Sequence, residues 1–248
     1  MNDTTKHGVS LSVESHIAAV TMADAAGRNA LSGGFVAELL AALEDAKQLP
    51  EVRVVVLRGL PEIFCSGADL SVLGDLKHSR VRPSELGVAE TLLKFPVPII
   101  AACEGYAIGG GFTLALACDF VVLANEHRYG FNFMDLGITP GMGTTRLAAY
   151  FLGEPTANEL MFSSECRKGR AFQGSQISRI VPSADVWDAA MDLASRIAQN
   201  PRQNIELLKQ SLTLGRRKDF IEAMTLESLM HETTLANLNL MNFGGTHD

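Results

Sequence analysis

Apolar and polar residues alternate over residues 9–13, VSLSV, and a second apolar-rich run, IAAVTM, follows at 17–22. Both read as short strands joined by a polar turn at 14–16. From residue 33, GGFVAELLAALEDAKQL repeats its apolar positions at intervals of three and four, the spacing of a helix with one buried face. VRVVVLRG at 52–59, PIIAAC at 98–103 and DFVVLA at 119–124 are short runs without alternation, as expected of strands covered on both faces. Helix-like segments lie between them. This order predicts crossover units and a largely parallel sheet. The pattern changes after about residue 142. ISRIV at 177–181 is the one further β-branched run expected to pair. DVWDAAMDLASRIAQN at 185–200, closed by Asn200-Pro201, then PRQNIELLKQSL at 201–212 and DFIEAMTLESLMHETTLANLNLM at 219–241, read as helices.

Composition adds only bounds. The chain has 248 residues, 47% hydrophobic and 20% charged, enough for a sizeable core without cross-links. A formal charge of −7 argues against a nucleic-acid surface, which needs clustered Lys and Arg. Two local basic stretches stand out all the same, KHSRVR at 77–82 and RKGR at 167–170. The four cysteines form no CxxC pair and mostly sit in apolar runs, which suits buried free thiols in a reducing, cytoplasmic setting. The N-terminal stretch lacks the apolar centre of a secretory leader. No run reaches the ~18 apolar residues that span a bilayer.

Two stretches carry candidate chemistry. In YAIGGGFTLALACDF, strand-like residues feed three glycines that open a helix-like segment. Free N–H groups at such a junction are partly positive, and glycine lets a ligand approach the backbone. The site suits a phosphate or an oxygen that becomes negative during reaction; the glycines equally suit a tight turn with close strand–helix packing. No Walker pattern and no GxGxxG supports nucleotide binding. The second stretch, IFCSGADL at 63–70, is another strand running into small residues. Two such turns, if adjacent, supply two convergent N–H donors.

FCSGADL, EGYAIGGGFTLALACDFVVLA and LGITPGMGTTRL, in that order and with NALS at 29–32 before them, resemble the crotonase (enoyl-CoA hydratase/isomerase) superfamily. The resemblance implies an α/β fold: a spiral of ββα repeats over residues 1–190, with a helical C-terminal trimerisation region over 191–248. It also implies a thioester held by the backbone N–H groups of Ala68 and Gly110, and a homotrimer or dimer of trimers. Hydratases of this superfamily carry one catalytic glutamate two residues after the glycine triplet and a second in the PE that precedes LGxxPG. Here those positions are Thr113 and Phe133. Adding water to an enoyl thioester needs a placed base and acid, and neither residue serves. Asp135 is the nearest acid, two residues from the expected place.

NFMDLGITPGMGTTRL, together with ESLMHETT near the C-terminus, is similar to a narrower group, the decarboxylating hydratase-like proteins of polyketide β-branching cassettes. That similarity implies loss of CO2 from a 3-methylglutaconyl group on an acyl carrier protein. The acyl chain rides on phosphopantetheine or CoA, and no metal or redox cofactor is needed. The implied site joins the oxyanion hole to His231, as proton donor, and to a cation, Lys77 or Arg82, that orients the departing carboxylate. Gly109, Thr113, Phe131 and Phe133 would line the pocket, the two rings keeping water out. The basic stretch with Arg80 and Arg82 also fits the acidic surface of a carrier protein. Two other functions stay open: an isomerase moving the alkene with the same hole and His231 as shuttle, and a non-catalytic acyl-binding protein.

Overall fold

The computed structural model describes residues 8–68 and 87–235. Lys77, Arg80 and Arg82 lie outside those residues.

Strands β1 (Val9–Glu14) and β2 (Ile17–Met22) form an antiparallel hairpin. Ser15 and His16 turn it with φ of 50° and 69°, the positive pair that a tight two-residue hairpin requires. β2 then pairs in parallel with β3 (Val54–Arg58), β3 with β5 (Ile99–Cys103), β5 with β7 (Phe120–Ala124), and β7 with β10 (Arg179–Val181). The result is a six-stranded sheet in the order β1-β2-β3-β5-β7-β10. Its unbroken apolar runs have two buried faces. Val54, Val56, Ile100, Ala102 and Val122 pack under helix α6 (Val186–Ala198), against Val186, Ala190 and Ala194. Val55, Leu57, Ala101, Val121 and Leu123 join the larger core on the other side, with Phe35, Leu39 and Leu43 of helix α1 (Gly33–Gln48).

A second, four-stranded sheet is built from pieces too short to show a period: β4 (Ile63–Cys65), β6 (Tyr106–Ile108), β8 (Arg128–Gly130) and β9 (Cys166–Lys168), in that order. β4, β6 and β8 run parallel; β9 closes the edge antiparallel. Each parallel strand is the second of a pair, following β3, β5 and β7. This is the ββ half of the expected ββα unit. Helices α2 (Val88–Lys94) and α3 (Gly110–Leu116) belong to the larger core, and α4 (Thr144–Leu152) and α5 (Glu154–Ser163) follow β8.

The helices expected from residue 185 onward are α6, α7 (Arg202–Leu212) and α8 (Leu214–Leu235). α8 starts five residues before its sequence signal, because its first turn is tied down by tertiary contacts. Arg216 Nη2 meets Asp119 Oδ1 at 2.9 Å, and Lys209 Nζ of α7 meets Asp119 Oδ2 at 2.6 Å. Lys209 and Arg216 are buried, and the half-buried Asp119 also accepts the Ile99 N–H at 2.8 Å. Arg167 of the second basic stretch is neutralised by Glu159 and Glu165. No helix among the described residues is long and apolar enough to cross a membrane.

Candidate active site

The C-terminal ends of β4, β6 and β8 lie side by side, and the chain leaving each one carries predicted site residues. β4 runs into Ser66-Gly67-Ala68, β6 into Gly109-Gly110, and β8 into Phe131-Asn132-Phe133. Parallel strands pointing the same way deliver their loops to one edge, which is how residues far apart in sequence converge.

The Ala68 turn is held from the N-terminal side. Asn29 is fully buried at φ 51°; its Nδ2 donates to Met22 O at 3.0 Å and Phe64 O at 3.1 Å, and its Oδ1 accepts from the Asp24 N–H at 2.8 Å. Leu31 N donates to Gly67 O at 2.8 Å, and Leu31 bridges Ala68 in parallel. Ser32 then caps α1 by accepting the Phe35 N–H. NALS is thus a stitch between hairpin, turn and helix.

The two predicted donors share one space. A Cβ on Gly110 would stand 3.9 Å from the Ala68 nitrogen, and a Cβ on Gly67 3.6 Å from the Gly110 nitrogen. Among the described residues neither N–H has a protein acceptor. Leu31 Cδ1 and Met142 Sδ bound the same space, 3.2 and 3.5 Å from that Gly110 Cβ position. The three glycines do different work. Gly109 sits at φ +56°, where a side chain would also meet Asn132 Oδ1 at 2.7 Å. Gly110 leaves room beside Ala68. Gly111 presses on β4: its Cβ would fall 2.2 Å from Cys65 O.

Thr113, one turn into α3, is fully buried. Its Oγ1 lies 2.6 Å from Thr144 Oγ1, which donates to Gly141 O at 2.5 Å. Thr113 Oγ1 also reaches Gly109 O at 3.1 Å, so each hydroxyl has a backbone carbonyl to donate to, and either can be the donor between the two. Phe133 stacks on Phe131 with centroids 5.8 Å apart and planes 16° apart, and its Cε1 approaches the Gly109 Cβ position at 3.8 Å. The acid-free positions are therefore a closed hydroxyl chain and an aromatic wall. Asp135 is exposed at the surface, away from this wall's buried face.

His231 is 5% exposed on α8, and its Nε2–H donates to Thr139 O at 2.7 Å. Burial holds its pKa below the usual imidazole value, so the ring is neutral near pH 7, and among the described residues Nδ1 has no hydrogen-bond partner. The loop that carries Thr139 also carries Met142, at the Gly110 space, and Thr144, at Thr113. His231 thus joins the site through residues 139–144. Glu227, absent from the sequence-based set, binds the same loop: Oε2 accepts the Gly143 N–H at 2.7 Å, and Oε1 the Thr145 N–H at 2.9 Å and hydroxyl at 2.8 Å. The signal available for it was its place four residues before His231, in ESLMH. Asn132 was likewise unmarked.

The family model for enoyl-CoA hydratase/isomerase matches residues 12–243. The chain belongs to this family. Within the family, the chain is 32% identical over 225 residues to the bacillaene synthase decarboxylase PksI of Bacillus subtilis, covering 90% of each protein. It is also 32% identical over 219 residues to the mitochondrial methylglutaconyl-CoA hydratase of Mus musculus, covering 85% of this chain and 70% of that one. Among solved structures, it superposes on a protein of a dehydratase/decarboxylase enzyme couple involved in polyketide beta-branching with a TM-score of 0.89 and 31% identity, over 96% of this chain and 99% of the other. The ECH2 decarboxylase domain of CurF from Lyngbya majuscula gives 0.85 and 32%, over 93% and 95%. Decarboxylases and a hydratase stand at the same identity, so the division between the two chemistries rests on individual residues.

Proposed function

We propose that this enzyme removes CO2 from a 3-methylglutaconyl-type thioester carried by an acyl carrier protein, in polyketide β-branching. The observation that carries the reading is the pairing of intact backbone donors, Ala68 and Gly110, with the loss of both hydration acids: Thr113 is locked into Thr144, and Phe133 is stacked on Phe131. Such a pocket stabilises an anion without activating water.

In the reaction, the bond from the γ-carbon to the carboxylate breaks and its electron pair enters the conjugated system. CO2 leaves, and the charge settles on the thioester oxygen as a dienolate. The Ala68 and Gly110 N–H groups hold that oxygen; a donor of this kind is worth about 3–4 kcal/mol in the transition state. His231 supplies the proton that completes the product. Its Nε2–H is engaged by Thr139 O, so Nδ1 is the working nitrogen. A substrate carboxylate beside Nδ1 favours the imidazolium and offsets the burial that keeps the free ring neutral. Lys77 or Arg82 is assigned the carboxylate, the carrier protein approaches the basic stretch at 77–82, and the protein acts as a homotrimer or a dimer of trimers.

A neutral ring whose buried Nδ1 has no protein partner among the described residues is also what a base requires. That observation favours one second reading, an isomerase in which His231 moves a proton and no carbon is lost. Mass separates the two. An acyl carrier protein loaded with a 3-methylglutaconyl group is incubated with the enzyme and weighed intact. Loss of one CO2, slowed about 10²–10⁴-fold in His231→Ala, is the expected outcome. Unchanged mass from folded enzyme and verified substrate would transfer the assignment to the isomerase, read next from the alkene position.

A further inference from the structure

We propose that Glu227 is a positioning residue: its carboxylate fixes the loop of residues 139–145, which in turn orients His231 and sets the wall of the Gly110 space. The proposal rests on the reading of His231 given above as a group that acts on substrate. Glu227 itself reaches no reacting atom; it acts through the loop.

Three features carry it. First, Glu227, His231 and Thr234 are spaced i, i+4, i+7 on α8, one face of the helix, and all three bind this loop. Glu227 takes Gly143 and Thr145, and His231 takes the Thr139 carbonyl. Thr234 Oγ1, which donates to Met230 O, is placed to accept from Thr139 Oγ1 at 3.3 Å. Phe220, seven residues before Glu227, brings one ring edge against the same loop; a Cβ on Gly143 would stand 2.3 Å from its Cδ2 and 2.4 Å from its Cε2.

Second, the loop has two outward contacts of consequence. Met142 Sδ bounds the space between the Gly110 and Ala68 nitrogens, and Thr144 Oγ1 holds the Thr113 hydroxyl. A shift of the loop along α8 therefore moves the acceptor of His231 and the pocket wall together. A misplacement of about 1 Å in such a wall is enough to cost roughly a hundredfold in rate.

Third, local capping would be the simpler way to finish α4. A Ser or Asp at the helix's own N-cap satisfies its first N–H groups at little cost. Here that position is Gly143 at φ 76°, with no side chain to cap, and the acceptor comes from 84 residues away in sequence. The carboxylate that does so is 1% exposed, and burial pushes its pKa up despite three donors. A buried carboxyl group tied by hydrogen bonds across the fold fixes α8 against the loop in one register, which a local cap does not do.

The test uses the full-length protein. Glu227→Gln keeps the shape but asks one carbonyl oxygen to serve the donors that two carboxylate oxygens share. The expected result is a fall in kcat of roughly tenfold to a hundredfold, with KM little changed. A displaced imidazole signal for His231 in a ¹⁵N-histidine NMR spectrum, assigned by its loss in His231→Ala, should accompany it. Glu227→Asp should recover part of both. Wild-type kcat with an unmoved His231 signal, whatever the melting temperature, would reduce Glu227 to a stability cap and overturn the proposal. If Glu227→Gln fails to fold, Thr145→Val removes one donor and leaves the carboxylate, and the same two readouts decide. If the wild-type enzyme shows no loss of CO2, the functional reading falls, while the NMR comparison still decides whether Glu227 positions His231.

Discussion

At the scale of single residues, the triplet 109–111 shows how similar letters serve different demands. Gly111 is the least negotiable, because its neighbour is backbone rather than a movable side chain: Cys65 O at 2.2 Å and Cys65 C at 2.7 Å from a built Cβ. Gly111→Ala should therefore push α3 off β4 and cost about 1–3 kcal/mol, the usual range for overpacking, read as a lowered urea midpoint. The glycines were legible in the sequence as a place for backbone approach, and NALS as a motif, but not the job of each residue, since a clash partner 46 residues away leaves no local trace. His231 was legible only through resemblance. Its partner Thr139, and the orphaned Nδ1, depend on how α8 docks.

At the scale of elements, long strands and helices announced themselves and short ones did not. The runs at 54–58, 99–103 and 120–124 are strands buried on both faces, and their unbroken apolar character says so. β4, β6, β8 and β9 have three residues each, fewer than any period needs, and they are fixed by pairing alone. These are the strands that assemble the site, so its residues were identifiable one by one while their convergence was not. The start of α8 escaped for a related reason: Asp119 at the head of β7 draws in Lys209 and Arg216. Asp119→Ala would leave two buried cations without their counter-ion. Breaking a buried pair of this kind costs about 3–5 kcal/mol, and equilibrium unfolding in urea should report it.

At the scale of the whole molecule, acid should weaken the fold through His231. Its folded-state pKa is depressed by burial, so the unfolded chain takes up the proton first as pH falls below about 6.5. Stability is complete above that pH, declines as pH drops toward the folded-state value, and levels off beneath it. Glu227 works the other way, because its raised pKa lets the native state accept a proton before the unfolded chain does. The stability advantage of wild type over His231→Ala should shrink as pH is lowered through about 6.5, which isolates the imidazole from the carboxylate.

The paired amides at 68 and 110 have a consequence for how the protein can change. They belong to the main chain, so they are supplied whatever side chains stand at those two positions, proline apart. At position 68 a mutational scan would score nearly every replacement as harmless except proline, which takes away the hydrogen itself. On the proposed reading, exchanging the side chains around the pocket would therefore alter what becomes of the anion without removing the two donors assigned to hold it.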